Sequence, residues 1–548
     1  MPATPKVAAV SGGAATNAGV AGAILKNAWE IKMTARVIGI FGPPGTGKTT
    51  RIGAEINARV PSQYHPSETI CTSFTQAAAF ALAGPDTPLD PELSIRTLHS
   101  FGFRTFEAPV VIGAENRRRG QRTITDEWND EYPGWEIGQG GDAPLSDCAR
   151  MRNLMLPLDA FTEADWFTYA QHVESRRFWP EWRQFKNMHG ALDFTDLLER
   201  PLAERLPPPN GARFAVIDEA QDFTPLQVML IRQWAEDMDE IILALDDDQS
   251  IYSHLGADPS YVINWPGMEK IHLDRSYRLP GAVHAYSQDW IEQLGDRREP
   301  KPFAPRADGY MGRVEHRHEM TARRPEDELV GICEAVARSK QSIMVLTANN
   351  YQLRPVTKAL QEAGVPFHNP YRTGDPYWNP LTANVRRVGR LTATDQAWDV
   401  GRLADLLAIV RVRGVFTNGA ESMRFCNDKA ESTPVDLADH LIDPDVRIDG
   451  QWLRDHAKKS AQGAVAYGDR IQRAGFDIDE PLVIPSTIHA VKGGEADVVA
   501  LFPDLSRAQG GMGEYSDATI RQFYVGMTRA RKDVLIGHPT EIAAVRLP

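Results

Sequence analysis

Cysteine is scarce in this 548-residue chain: Cys71, Cys148, Cys333 and Cys426 are the four, and no two of them form a Cys-x-x-Cys pair. That spacing indicates neither a disulfide framework nor a thiolate metal site, and it predicts reduced thiols in mostly structural roles. No run of 18 strongly apolar residues occurs, and the Ala/Gly-rich start, residues 7–25, lacks the leucine-rich centre of a secretory signal. A cytoplasmic protein without a membrane partner is expected. Glycine and proline, 43 and 38 residues, stay well below collagen-like or low-complexity levels. Positive charge is also short, since 60 Lys and Arg face 73 Asp and Glu for a formal charge of −13. This excludes a globally basic nucleic-acid coat but allows a local cationic channel.

What the chain does have is 42% hydrophobic residues, enough for about three or four compact units. Residues 1–34, rich in Ala, Gly, Ser and Val, predict a loose arm or a short helix. Beyond them, short apolar runs bounded by turn residues stand at 37–41, 69–74, 214–217, 241–245, 342–347, 482–484, 498–502 and 534–536. Several are followed by helical patterns, as at 225–235 and 351–363, so the texture is α/β with buried parallel strands. The runs fall into two groups, each interrupted by a stretch lacking the pattern. This predicts a first core from 35–105 and 190–275 with an insertion at 106–189. A second core is predicted from 276–375 and 482–548, with an insertion at 376–481.

Gly42-Pro43-Pro44-Gly45-Thr46-Gly47-Lys48-Thr49, followed by Thr50, fits G-x-x-x-x-G-K-[ST] between an apolar strand and a helical pattern. Backbone N–H groups freed by small residues can wrap phosphates at a helix start, Lys48 can reach the outer phosphates, and the Thr49 hydroxyl can hold Mg²⁺. Such a loop needs a carboxylate for the metal and a base for water. The run 214–217, ending in Asp218 and Glu219, supplies both: Asp218 as metal partner, Glu219 as base.

The ordered set of motifs resembles the UvrD/Rep-like branch of superfamily 1 helicases. After the P-loop come Asp218-Glu219-Ala220-Gln221-Asp222, then Leu245-Asp246-Asp247-Asp248-Gln249-Ser250-Ile251-Tyr252, then Leu273-Asp274-Arg275-Ser276-Tyr277-Arg278. Thr487-Ile488-His489-Ala490-Val491-Lys492-Gly493-Gly494-Glu495 and Tyr524-Val525-Gly526-Met527-Thr528-Arg529-Ala530-Arg531 complete it. Weaker matches lie at 72–79, 97–100 and 192–198.

The resemblance implies two RecA-like cores with parallel sheets, each carrying a mainly helical insertion, and ATP with Mg²⁺ as cofactors. It implies that Gln249 senses the γ-phosphate and the attacking water, that Tyr277 stacks on the base, and that Glu495 contacts the sugar. Arg278 and Arg529 would neutralise the transferred phosphoryl group, Arg529 as an arginine finger, so that hydrolysis requires the cores to close. Thr72, Phe74, Thr75, His99, Thr487 and His489 are the implied contacts to single-stranded nucleic acid.

The sequence departs from the family where Trp-Arg usually follows Tyr252 and this chain has Ser253-His254-Leu255, and where Asn-Lys is replaced by Gln76-Ala77. No counterpart of the adenine-reading Gln motif precedes the P-loop. The expected activity is an ATP-dependent helicase that translocates on single-stranded DNA, 3′ to 5′ by analogy, and unwinds tailed duplexes. Replication or repair proteins are the expected partners, and the chain is expected to be a monomer or weak oligomer. A translocase that remodels without strand separation, or a nucleotide-gated recruitment factor, are the alternatives. Residues 176–186 interleave cations with aromatics and could line a strand channel or pack an insertion; Arg117-Arg118-Arg119 could be a solvated loop or a duplex contact. Asp246-Asp247-Asp248 is expected to serve the turn and helix start after its strand.

Overall fold

The computed structural model describes residues 34–73, 88–89, 94–106, 109–115, 122–138, 143–156, 169–372, 375–393, 397–417, 433–506 and 515–548. The chain divides into two units, Met1–Ser276 with Asp296–Phe303, and Tyr277–Gly295 with Ala304–Pro548.

In the first unit, β1 (Arg36–Phe41), β2 (Thr69–Thr72), β3 (Phe214–Ile217), β4 (Glu240–Leu245) and β5 (Glu269–His272) form one sheet in the order β2-β3-β4-β1-β5. Every pairing is parallel. Its inner strands read as continuous apolar runs because both faces are covered. Ile38, Ile40, Phe214, Val216, Ile242 and Ala244 pack on one side with Ile52 and Ile56 of the helix Lys48–Arg59. Val37, Phe41, Ala215, Ile217, Ile241, Leu243 and Leu245 pack on the other with the helix Pro225–Trp234. That second helix starts cleanly because Thr224 and Gln227 cap each other reciprocally.

Register sets the function-bearing edge. Phe41 pairs with Leu245 and His272, Thr72 with Ile217, and Ile217 with Leu243. The loops that begin at Gly42, Ser73, Asp218 and Asp246 therefore leave from one rim, the carboxyl ends of the strands, where open parallel sheets place ligands.

Between β2 and β3 the chain forms the helices Leu98–Thr105, Ile124–Glu131, Ala143–Asn153, Tyr169–His189 and Asp196–Ala203. Phe178, Trp182 and Phe185 share one face of Tyr169–His189 and are buried against Trp128, with ring centroids 5.6, 4.7 and 5.2 Å away. Arg176, Arg177 and Arg183 are exposed on that helix. For the aromatics of 176–186, packing is the reading the structure takes. Beside this aromatic core Arg152 and Lys186 are buried and paired with Asp193 and Asp196. Arg117, Arg118 and Arg119 lie outside the described residues.

The second unit holds β6 (Arg313–Arg317), β7 (Ile343–Thr347), β8 (Val483–Thr487), β9 (Ala496–Leu501) and β10 (Ala530–Gly537), all parallel in the order β6-β10-β9-β7-β8. Between β7 and β8 the helices Ala383–Thr392, Val400–Ile409, Gly450–His456 and Gln462–Ala474 include the chain that closes around Leu403, Leu406, Leu407, Leu453 and Val465. The helix Asp517–Met527 connects β9 to β10 and is buried over most of its length. Such a crossover must run back from the carboxyl rim of the sheet to the opposite rim. Among the described residues no helix is long and apolar enough to cross a membrane.

Two strands escape the sequence reading. β5, Glu-Lys-Ile-His, and β6, Arg-Val-Glu-His-Arg, are edge strands with no buried residue, so they carry no apolar run. The strand grouping also assigns 276–375 to the second core, whereas Asp296–Phe303 packs with the first unit. The reason is a set of ion pairs at the end of β4.

Candidate functional site

The P-loop is shaped by two glycines in the left-handed region, Gly45 (φ 73°) and Gly47 (φ 77°), which a side chain would strain. Gly42 N–H donates to Leu245 O at 3.0 Å, tying the loop to β4. Thr46 folds back to donate from N–H and Oγ1 to Pro43 O, at 3.2 and 2.8 Å. The Ser276 hydroxyl donates to Pro44 O at 2.7 Å and fixes the outer limb of the loop. The helix then opens at Lys48 with Gly47 as its cap and no side-chain cap bond, and Thr49 and Thr50 are exposed in the first turn. An N-terminus whose N–H groups are not taken by a capping side chain, beside a lysine, suits a polyphosphate.

Lys48 Nζ stands 2.9 Å from Glu219 Oε1. Burial acts to lower the Lys48 ammonium, but Glu219, Asp218 and Asp246 outweigh it and hold it above the ordinary lysine value. Glu219 is left-handed at φ 52° and ψ 37°, a costly backbone for a non-glycine residue. Its N–H donates to Asp218 Oδ1 at 2.9 Å, and its Oε2 accepts from Gln221 Nε2 at 2.6 Å. Asp218 is buried, and its N–H donates to Thr72 O at 2.9 Å, which anchors the carboxylate at the end of β3.

Gln221 links two motifs. Its Oε1 accepts from Asp246 N–H at 3.0 Å, and its backbone O accepts from Ser250 Oγ at 3.0 Å. Gln249 Nε2 in turn donates to Asp246 Oδ2 at 2.6 Å. Lys48, Glu219, Gln221, Asp246 and Gln249 thus form one connected set. Gln221 stands inside the quoted acidic motif but carries no role in the sequence reading; the signal was an uncharged residue between two acids, which periodicity does not register.

The three aspartates after β4 differ from their expected role. A short 3₁₀ turn does begin at Asp247, but no side chain caps it; Asp246, Asp247 and Asp248 are buried and face Lys301 and Arg298. Buried carboxylates demand such partners. The sequence reading missed both cations, since nothing in their neighbourhood shows a helical or strand period.

Of the strand-contact candidates, Thr72 is buried at the end of β2, and its Oγ1, like Ser73 Oγ, meets no hydrogen-bond partner among the described residues. His99 is half-buried on Leu98–Thr105, 6.2 Å from the Phe194 ring, and burial lowers it to about 4, so it is neutral at pH 7. Phe74 and Thr75, with Gln76 and Ala77, lie outside the described residues. Where the family shows Trp-Arg, Ser253–Leu255 forms a 3₁₀ turn with Leu255 exposed.

In the second unit the structure brings three candidates together. Arg278 Nε donates to Glu495 Oε2 at 2.7 Å, and Arg278 Nη1 to Thr528 O at 3.3 Å. Arg529 is 1% exposed and donates to Val525 O, Gly494 O and Thr528 Oγ1 at 2.9, 3.3 and 3.2 Å. Glu495 and Arg529 immediately precede β9 and β10, so this group sits on the amino rim of the sheet. Tyr277, beside Arg278, is 75% exposed. Thr487 and His489 stand at the carboxyl end of β8, the opposite rim; Thr487 is buried, and His489 Nδ1 lies 3.2 Å from Gln522 Nε2. The second unit therefore separates its nucleotide candidates from its strand candidates by the length of the sheet.

Two family models match the chain: an AAA domain over residues 26–255 and the UvrD-like helicase C-terminal domain over 482–536. The ATP-dependent DNA helicase UvrD2 of Mycobacterium tuberculosis is 24% identical over 372 residues, covering 62% of this chain and 50% of the relative. The ATP-dependent DNA helicase Rep of Buchnera aphidicola is 23% identical over 359 residues, 60% of this chain and 54% of the relative. DNA helicase II of Escherichia coli is 29% identical over a shorter 155 residues, 26% of this chain and 22% of the relative. The chain thus spans about half the length of the first two relatives.

Proposed function

The chain belongs to the UvrD/Rep-like superfamily 1 helicases, and on that premise we propose that it is an ATP-dependent motor that moves along single-stranded DNA, 3′ to 5′, and unwinds tailed duplexes. The observation that carries the reading is the Lys48 to Glu219 pair at the rim where β1, β3 and β4 end, joined through Gln221 to Asp246 and Gln249.

ATP with Mg²⁺, when bound, supplies the phosphoanhydride whose hydrolysis drives the cycle. The protein's part is assigned as follows. The loop Gly42, Pro43, Pro44, Gly45, Thr46, Gly47 presents its N–H groups to the phosphates, Lys48 neutralises them, and Thr49 with Asp218 holds the cation, Thr50 extending the first turn. Glu219 Oε1 takes a proton from water that Gln249 orients. Arg278 and Arg529 neutralise charge on the transferred group, Tyr277 stacks on the base, and Glu495 contacts the sugar. Thr72, Phe74, Thr75, His99, Thr487 and His489 hold the sugar-phosphate strand without reading sequence. The segments 106–189 and 376–481 are assigned as inserted subdomains of two RecA-like cores, at 35–105 with 190–275 and at 276–375, apart from Asp296–Phe303, with 482–548. The protein works in the cytoplasm, as a monomer or weak oligomer, with replication or repair proteins.

Opening a base-pair step costs on the order of 1.4 kcal/mol, so the motor need only bias fraying in one direction. The test is strand displacement on 3′-tailed and 5′-tailed DNA and RNA duplexes with each nucleoside triphosphate, with Lys48→Ala as control. Displacement confined to 3′-tailed DNA and lost in the control is expected. ATP hydrolysis stimulated by strands without displacement favours the remodelling translocase, for which the Ser253-His254-Leu255 departure argues.

A further inference from the structure

Past the strand that ends the first unit's sheet, the chain enters the second unit at Tyr277 and returns for Asp296–Phe303 alone. That return segment carries Arg298 and Lys301, and both are engaged at the end of β4. Arg298 donates from Nε and Nη2 to the two oxygens of Asp248, at 2.8 and 2.6 Å. Glu299 N–H donates to Asp247 Oδ2 at 2.9 Å. Lys301, 3% exposed, pairs with Asp247, lies 3.1 Å from Asp248 Oδ2 and 3.5 Å from Asp246 Oδ1.

The consequence falls on Asp246. Its two oxygens face different ways: Oδ2 accepts from Gln249 Nε2 at 2.6 Å, while Oδ1 is buried with no hydrogen bond among the described residues and has the Lys301 ammonium as its facing charge. A carboxylate held on one side by a cation and on the other by an amide fixes the rotation of that amide. Burial, with Asp248 and Asp247 beside it, raises Asp246 to about 6 against the opposing pull of Lys301 and of the Gln249 hydrogen bond, so both partners favour its charged form.

We propose that Lys301, braced by Arg298, is a positioning residue for nucleotide hydrolysis: through Asp246 it sets the orientation in which Gln249 faces the nucleotide. The proposal rests on the assignment of Gln249 given above. A role of this kind alters turnover more than nucleotide affinity, because the amide contributes in the transition state and the P-loop contributes in the ground state.

The experiment uses the full chain and DNA-stimulated ATP hydrolysis. Lys301→Met is expected to lower kcat about tenfold or more while KM for ATP stays within about twofold. Because Lys301→Met also strands buried negative charge, a second variant, Lys301→Met with Asp247→Asn, removes one carboxylate along with the ammonium. It is expected to melt near the parent yet keep the loss of kcat. Gln249→Ala is expected to cost little further in the Lys301→Met background, since both changes remove the same function. If the charge-compensated variant regains parental kcat, or if the Lys301 and Gln249 effects multiply independently, Lys301 only stabilises the fold and the proposal is overturned. Should Lys48→Ala hydrolyse ATP as fast as the parent, it is instead the underlying assignment of the site that fails.

Discussion

Lys48 and Glu219 are bonded to each other across 2.9 Å, the lysine from the start of a helix and the glutamate from a left-handed turn after β3. The pair keeps two opposite charges ready at one rim, each the counter-charge of the other. Lys48→Ala is expected to abolish both nucleotide binding and turnover. Glu219→Gln is expected to retain binding while kcat falls by about 10² to 10⁴. Fluorescent-nucleotide titration beside steady-state hydrolysis separates the two outcomes.

Arg529 is held by two backbone carbonyls and the Thr528 hydroxyl, a fork of donors already oriented. If it acts as an arginine finger, Arg529→Ala should lower single-turnover hydrolysis by about 10³ to 10⁵. Arg529→Lys should recover little of it, because a point charge cannot reproduce the fork. Parental turnover in Arg529→Ala would remove this residue from the mechanism.

Asp193 offers a pH test. Burial alone would raise its carboxyl, but Arg152 and Lys186 outweigh burial and hold it far below the usual carboxylate range, with Trp182 Nε1 donating at 2.9 Å. A depressed carboxyl contributes stability that is full above its unfolded value of about 3.9 and drains away as pH falls below that. Asp193→Asn is expected to lower stability at pH 7 and to flatten its decline below about pH 4. Arg152→Met, which leaves Lys186 as the one buried cation facing both Asp193 and Asp196, should cost about 3–5 kcal/mol. Denaturant titrations at neutral and acid pH read both.

Gly494 marks a close approach. A Cβ there would stand 2.0 Å from Tyr371 Oη, and the Gly494 carbonyl accepts from Arg529 Nη1. Gly494→Ala is expected to displace the tyrosine or the carbonyl and to lower turnover, and adding Tyr371→Phe, which removes the clashing oxygen, should restore part of it. Equal activity in Gly494→Ala and the parent would mean that this approach does not matter to the arginine.

The inner strands were legible because burial on both faces writes itself as unbroken Val, Ile, Leu and Phe, as in β1, β3, β4 and β7. β5 and β6 were not, because unlike the edge strands β2 and β8 they bury none of their side chains. The same divide runs through the site. Gly45, Gly47, Lys48 and Glu219 belong to local patterns that a linear reading finds. Lys301, Arg298 and the bridging role of Gln221 arise from residues distant in the chain, and only folding brings the charges together. The aromatic run 176–186 was ambiguous for a related reason: helical spacing marks Phe178, Trp182 and Phe185 as one face without saying what covers it.

The buried helix Asp517–Met527 bears at Gln522 on His489, beside the carboxyl ends of the second sheet, and its last turn hands the chain to Arg529 at the amino ends. If His489 grips the strand and Arg529 serves hydrolysis, as proposed, this one helix carries both the contact to the first and the turn that delivers the second.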